Sequence, residues 1–171
     1  MTRLPIAALD GSAIPEYERT VALDRNWVNA IAALGLRKFH AGAIEQAIPA
    51  QEQAIRLSPG DPGIGCWYFR IGEAHLLESH IDDAILWFEK AKHAFPAWTG
   101  VRGYLASAYA LKGDNEQAAA ELAEARKLGG ESSWQSIARL KANSRYEAPT
   151  MGALVEATFY AGLRKAGVPE E

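Results

Sequence analysis

The chain has 171 residues, 49% hydrophobic and 23% charged, a composition that excludes disorder and suffices for one ordinary domain or one short repeat array. Its net charge of −3 lacks the basic excess that neutralises phosphates, so a nucleic-acid partner is not expected. The single cysteine, Cys66, rules out an internal disulfide, and no apolar run approaches the ~20 residues of a membrane span.

Residues 1–9 lack the long apolar centre of a secretion signal, so the expected compartment is the cytoplasm. Residues 1–12 read as an N-terminal extension. Residues 13–25, with Ala13, Tyr17 and Leu23, read as the second helix of a hairpin whose first helix is missing. The expectation is an array that begins mid-repeat, as a piece of a longer protein does. A first full repeat spans 28–61 and carries Leu34-Gly35, Gly42, Ala47, Ala54 and Pro59. Its second helix, over about 43–57, contains Pro49, which predicts a first-turn position or a kink.

The second repeat (65–98) and the third (99–132) match each other at an offset of 34: Ile71 with Leu105, His75 with Tyr109, Ser79 with Gly113, Ala84 with Ala118, Phe88 with Leu122, Ala91 with Ala125. The first repeat precedes the second by 37, and the three extra residues fall in the connection 59–63. Trp27 and Trp98 stand at matching places after a second helix. Asp82-Asp83 and Asp114-Asn115 are placed to cap second helices, and Gly113 suits a hairpin turn. Gly129-Gly130 closes the third repeat, and the period then stops. Residues 133–171 read as a capping segment. It holds a short helix over 133–142 capped by Ser132 or Ser133, a loop over 143–148, and a final amphipathic helix over about 149–166. Met151, Leu154, Val155, Phe159 and Leu163 give that last helix its apolar spacing.

A 34-residue period of helix hairpins resembles the tetratricopeptide repeat (TPR). It implies an all-α, TPR-type α-α superhelix of about three repeats, with a preceding half repeat and a C-terminal capping helix. Small residues (Gly35, Gly72, Ala47, Ala84, Ala118) are expected where paired helices approach closely. Large ones (Leu34, Tyr68, Trp87, Phe88, Leu105, Tyr109) are expected between hairpins, because one hairpin cannot bury its apolar face alone. Two strings narrow the resemblance: residues 54–62 with Trp67 and Ile71-Gly72-Glu73-Ala74-His75, and the tail 159–169 with Ser136-Ile137-Ala138-Arg139-Leu140. Together they resemble the C-terminal TPR region of bacterial class III adenylate/guanylate cyclases. Arg25 and Gln51 depart from the usual repeat pattern, and no residues here match a cyclase's catalytic domain. The resemblance therefore implies a regulatory or scaffolding part and not the catalyst.

Candidate chemistry is sparse. His75, His80 and His93 lie in one region with Glu73 and Glu78, but a spacing of five between His75 and His80 does not match a helix face, so no metal is expected. His75 is expected to pack where Tyr109 does in the next repeat. Cys66 has no neighbouring His or Lys in sequence and reads as a small hydrophobe. No nucleophile elbow accompanies the serines, and Gly60, Gly63 and Gly65 are flanked by prolines, unlike a phosphate-binding loop. Arg164-Lys165 complements the dipole of a helix end. No catalytic residue and no cofactor are assigned, and the chain is read as a non-enzyme.

The functional surface is expected in the groove lined by the first helix of each hairpin. Its candidate residues are Asn29, Leu36, Phe39 and His40 from the first repeat, Cys66, Phe69, Arg70, Glu73 and Leu76 from the second, and Ser107 from the third. The lining is mostly apolar with Arg70 and Glu73 as isolated charges. Ala32, Leu36 and Gly103 stand where a carboxylate-binding groove carries its lysine, asparagine and arginine, so the lining suits an amphipathic helix instead. Two occupants stand open, a partner polypeptide or the chain's own C-terminal helix. The leading function is a protein-interaction scaffold, which the resemblance implies is a regulatory module of a nucleotide cyclase system. The alternative is a homodimerising self-assembly module, using an apolar end near Tyr17 and Trp27.

Overall fold

The structure is a computed structural model that describes residues 13–130, 134–143 and 149–171. The expected extension 1–12, the Ser132 or Ser133 cap and residues 144–148 of the expected loop lie outside the described residues. The architecture is an all-α TPR-type superhelix. A lone helix, α1 (Ile14–Leu23), leads into three hairpins: α2 (Val28–His40) with α3 (Ile44–Leu57), α4 (Ile64–Leu77) with α5 (Ile81–Ala94), and α6 (Thr99–Lys112) with α7 (Asn115–Gly129). A short α8 (Ile137–Ala142) follows. The chain then ends in one continuous helical segment made of α9 (Pro149–Val155), a π-helical stretch Glu156–Tyr160 and α10 (Ala161–Lys165). No helix among the described residues is long and apolar enough to cross a membrane.

The helices of each hairpin touch where side chains are smallest. A Cβ on Gly72 would lie 2.7 Å from the ring of Phe88, which is completely buried. A Cβ on Gly35 would lie 2.9 Å from Ala50 Cβ and 2.8 Å from Gln51 Nε2. Gln51, where an apolar residue was expected, is buried and donates to the Ala32 carbonyl at 3.0 Å, tying α3 to α2. That bond satisfies the NH₂ end of the amide, while Oε1 is buried without a partner.

The three hairpin turns share one backbone solution. Gly42, Ser79 and Gly113 adopt positive φ (86°, 62° and 91°), and Ser79 is the sole non-glycine to do so among the described residues. In each turn the next N–H bonds back five residues, Ala43 to Lys38, His80 to His75 and Asp114 to Tyr109, at 2.8–2.9 Å. This is the Schellman closure of a helix C-terminus.

Several local expectations are corrected. Asp114 is an N-cap and accepts from Gln117 N at 3.1 Å, but Asp82 and Asp83 lie inside the first turn of α5, whose N-cap is His80. There the two carboxylates act on the helix dipole and cap nothing. Pro49 is not in the first turn: α3 runs through it, and its ring is exposed on the solvent side. α8 starts at Ile137, not 133, because Ser136 caps it by accepting from Arg139 N at 3.2 Å. Its first N–H groups donate to the chain's own end, Ile137 N to Pro169 O and Ala138 N to Glu170 O, both 2.9 Å. The final helix is not regular. Its π turn keeps three consecutive residues, Thr158, Phe159 and Tyr160, buried at once, which a regular helix face does not do.

Between repeats two and three the contact is partly polar. Glu121, nearly buried, accepts from Lys92 at 2.7 Å and Arg102 at 2.9 Å, while Tyr109 donates to Glu89 at 3.0 Å. Burial and then the Glu89 carboxylate push the Tyr109 phenol pKa up to about 12.

Gly72→Ala tests the close approach. It is expected to lower the unfolding free energy by about 1–3 kcal/mol in urea titrations, since the buried Phe88 ring has nowhere to go. A loss under about 0.5 kcal/mol means that α4 and α5 can separate freely.

Candidate functional site

The helices α2, α4 and α6 form one side of the stack, and the C-terminal helix lies on it. α10 and the π stretch pack against α6, and the π stretch also reaches α4. At the opposite end, Thr150 Oγ1 is 3.8 Å from where a Cβ on Gly42 would lie. The helix thus runs from the first hairpin's turn to the third hairpin. Met151, Val155, Phe159 and Leu163 are buried in the same core as Phe39, Phe69 and Leu76, but Leu154, expected in the same apolar stripe, is exposed because it falls on the outer side of the helix.

Contacts at the centre of the seat are specific. The Tyr104 and Phe159 rings stack at 4.0 Å, and Tyr104 meets Phe69 edge-on at 4.9 Å. Ser107 Oγ, buried, donates to the Phe159 carbonyl at 2.8 Å. The π turn frees carbonyls from regular pairing, and this bond satisfies one of them. Directly beyond, Gly162 rests on Ser107: a Cβ there would lie 2.5 Å from the Ser107 carbonyl oxygen. A lateral clasp of charges holds the helix, with Arg164 between Glu156 and Glu170 and Lys141 on Glu156 at 2.9 Å. Arg164, expected only to complement a helix end, is thus an ion-pair centre. The hydrogen bonds from Lys141 and Arg164 hold the Glu156 carboxyl below its usual range.

Of the ten groove residues expected from sequence, Phe39, Phe69, Glu73, Leu76 and Ser107 are buried, and Leu36, His40 and Arg70 are half-buried. Asn29 and Cys66 are exposed outside the packed cluster. The supposedly isolated charges are not isolated. Glu73 is 1% exposed, one carboxylate oxygen accepts from Arg70, and the other accepts from the Tyr104 hydroxyl at 3.0 Å. The period had a signal for Tyr104, since it stands 34 residues after Arg70. Burial pushes the Cys66 thiol pKa up against the pull of Arg70, so at neutral pH it stays a thiol, the less nucleophilic form.

The spacing of five between His75 and His80, which does not match a helix face, nevertheless brings the two side chains together. A ligand atom from each of His75, Glu78 and His80 lies within 4.8 Å of the other two. A spacing of five is wrong for a helix face, but here α4 ends at Leu77 and the Schellman turn carries His80 back over His75.

The same fold occurs in solved structures of MamA. One crystal structure of MamA superimposes with a TM-score of 0.65 over 90% of this chain and 84% of that one, at 18% identity. A second gives 0.64 over 90% and 79%, at 21% identity. The MSR-1 form of MamA called C2 gives 0.62 over 75% and 74%, at 23% identity. At these identities the likeness establishes the superhelical fold, and it lends the cyclase resemblance no support. No family model matches the chain, and no curated protein matches it.

Proposed function

We propose that this chain is a non-catalytic protein-interaction scaffold whose groove receives an amphipathic helix, with its own C-terminal helix as the resident occupant. The seating of that helix carries the reading: Phe159 stacked on Tyr104, its carbonyl held by Ser107, and Gly162 flush on α6. Anchors spaced by four, Met151, Val155, Phe159 and Leu163, fill the seat, so a partner helix with the same spacing competes for it. Of the groove residues expected from sequence, Phe39, Phe69, Leu76 and Ser107 are the surface such a partner meets once the tail leaves. Association with a nucleotide cyclase rests on the sequence resemblance alone. Adding the chain to a class III catalytic domain without changing its rate ends that version.

Gly162→Val unseats the tail while leaving the groove intact, because the new methyls collide with Ser107. A labelled peptide of residues 149–168 with the natural sequence is expected to bind this variant at least about tenfold more tightly than it binds the unaltered chain. Equal anisotropy titrations for the two proteins refute the resident-occupant reading.

A second reading, self-assembly, is favoured by the opposite end of the stack. Leu23, Trp27 and Leu57 are 90%, 52% and 40% exposed, and α1 contributes no buried residue. The α1–α2 connection lies beside α3, where Gln53 donates to the Arg25 carbonyl. A second copy covering this end removes apolar surface from water. Light scattering is expected to show mass rising with concentration for the unaltered chain and a constant monomer for Leu23→Glu/Trp27→Glu. A constant monomer in both discards this reading.

A further inference from the structure

We propose that His75, Glu78 and His80 form a site for one divalent transition-metal ion, of the zinc class, at the α4–α5 turn. One ligand atom from each residue lies within 4.8 Å of the others. The imidazole rings are 5.9 Å apart between centroids, and His80 Nδ1 is 3.5 Å from a Glu78 carboxylate oxygen. His75 Nδ1 is buried without any hydrogen-bond partner, so this imidazole holds unused coordinating or donating capacity beside the other two groups.

The backbone holds the three together independently of any ion. His75 lies in the last turn of α4, and the His80 N–H is bonded to the His75 carbonyl at 2.8 Å, which fixes the two residues at opposite ends of one closed turn. Ser79 supplies the left-handed residue that the closure needs, at φ 62°, where the other two hairpins use glycine. The equivalent turns carry Lys38 with Ala43 and Tyr109 with Asp114, pairs that offer no second imidazole.

Donor chemistry selects the ion. Two neutral imidazoles and one carboxylate suit zinc and its neighbours Co²⁺, Ni²⁺ and Cu²⁺, whereas Mg²⁺ and Ca²⁺ prefer oxygen-only shells. Zinc–nitrogen bonds of about 2.0–2.1 Å draw tetrahedral ligand atoms to within about 3.5 Å of each other. The His80 side chain is 58% exposed and free to rotate by that much, and Glu78 is 26% exposed. Three protein donors leave a fourth position for water. A bound ion then ties the last turn of α4 to the first of α5 and stabilises the folded chain by mass action.

The test is zinc titration of the untagged full chain by calorimetry, with Co²⁺ absorption and thermal unfolding as parallel readouts. One ion per chain is expected, with the visible absorption of four-coordinate Co²⁺ and a raised melting temperature. His80→Ala, whose fold far-UV circular dichroism checks, is expected to weaken zinc binding at least about tenfold and abolish the thermal shift. His93→Ala, on the exposed surface of α5, is expected to change neither. The proposal is overturned if the unaltered chain takes up no zinc, if His80→Ala binds as it does, or if His93→Ala weakens binding equally.

Discussion

How closely two elements can approach at a glycine governs this molecule. Gly72 admits the face of Phe88 and so sets the spacing of α4 and α5. Gly103 admits the Trp134 ring, joining the last hairpin to the segment that follows. Gly162 lets α10 lie on the backbone of Ser107. With backbones brought that near, large rings reach across the gaps. Phe88, Tyr104 and Phe159 form a run of aromatic contacts at 5.5 Å and 4.0 Å, from a second helix through a first helix to the C-terminal helix. Dispersion between close-packed atoms is small per contact and large in sum, so each added methyl at these places forfeits much of it.

Among the described residues, the two buried carboxylates inside this packing are paired. Glu73 and Glu121 each receive two donors, from Arg70 with Tyr104 and from Lys92 with Arg102. Buried pairs of this kind add little net stability, because desolvation opposes the attraction. Their effect is on register: only one stacking of neighbouring helices brings both donors to each carboxylate. Tyr104 serves twice, since its hydroxyl binds Glu73 and its ring carries Phe159. The polar network under the groove is therefore coupled to the seat of the tail.

On the proposed function, a resident helix alters the energetics of recognition. The tail is tethered, so it would compete at an effective concentration in the millimolar range, which an outside helix must overcome. If the seat is vacant about 1% of the time, a partner's apparent affinity falls about a hundredfold below its intrinsic value. Binding then responds to whatever loosens the clasp of Arg164 with Glu156 and Glu170.

The sequence by itself determined the hairpins. The period of 34, the small residues at Gly35 and Gly72, the turn at Gly113, the Asp114 cap and the apolar stripe of the last helix are all local patterns, and regular helices turn them into geometry. What lay beyond local spacing was decided only by the tertiary structure. Arg70 and Glu73 looked isolated because Tyr104 arrives from another hairpin. Asp82 and Asp83 looked like caps because the helix start shifts by two residues. His75 and His80 looked divergent because helical spacing does not apply past Leu77. Whether the groove faced water or the chain's own tail was likewise open in sequence. Both arrangements satisfy the same apolar stripe, and only the fit of Gly162 and Phe159 against Ser107 and Tyr104 chooses between them.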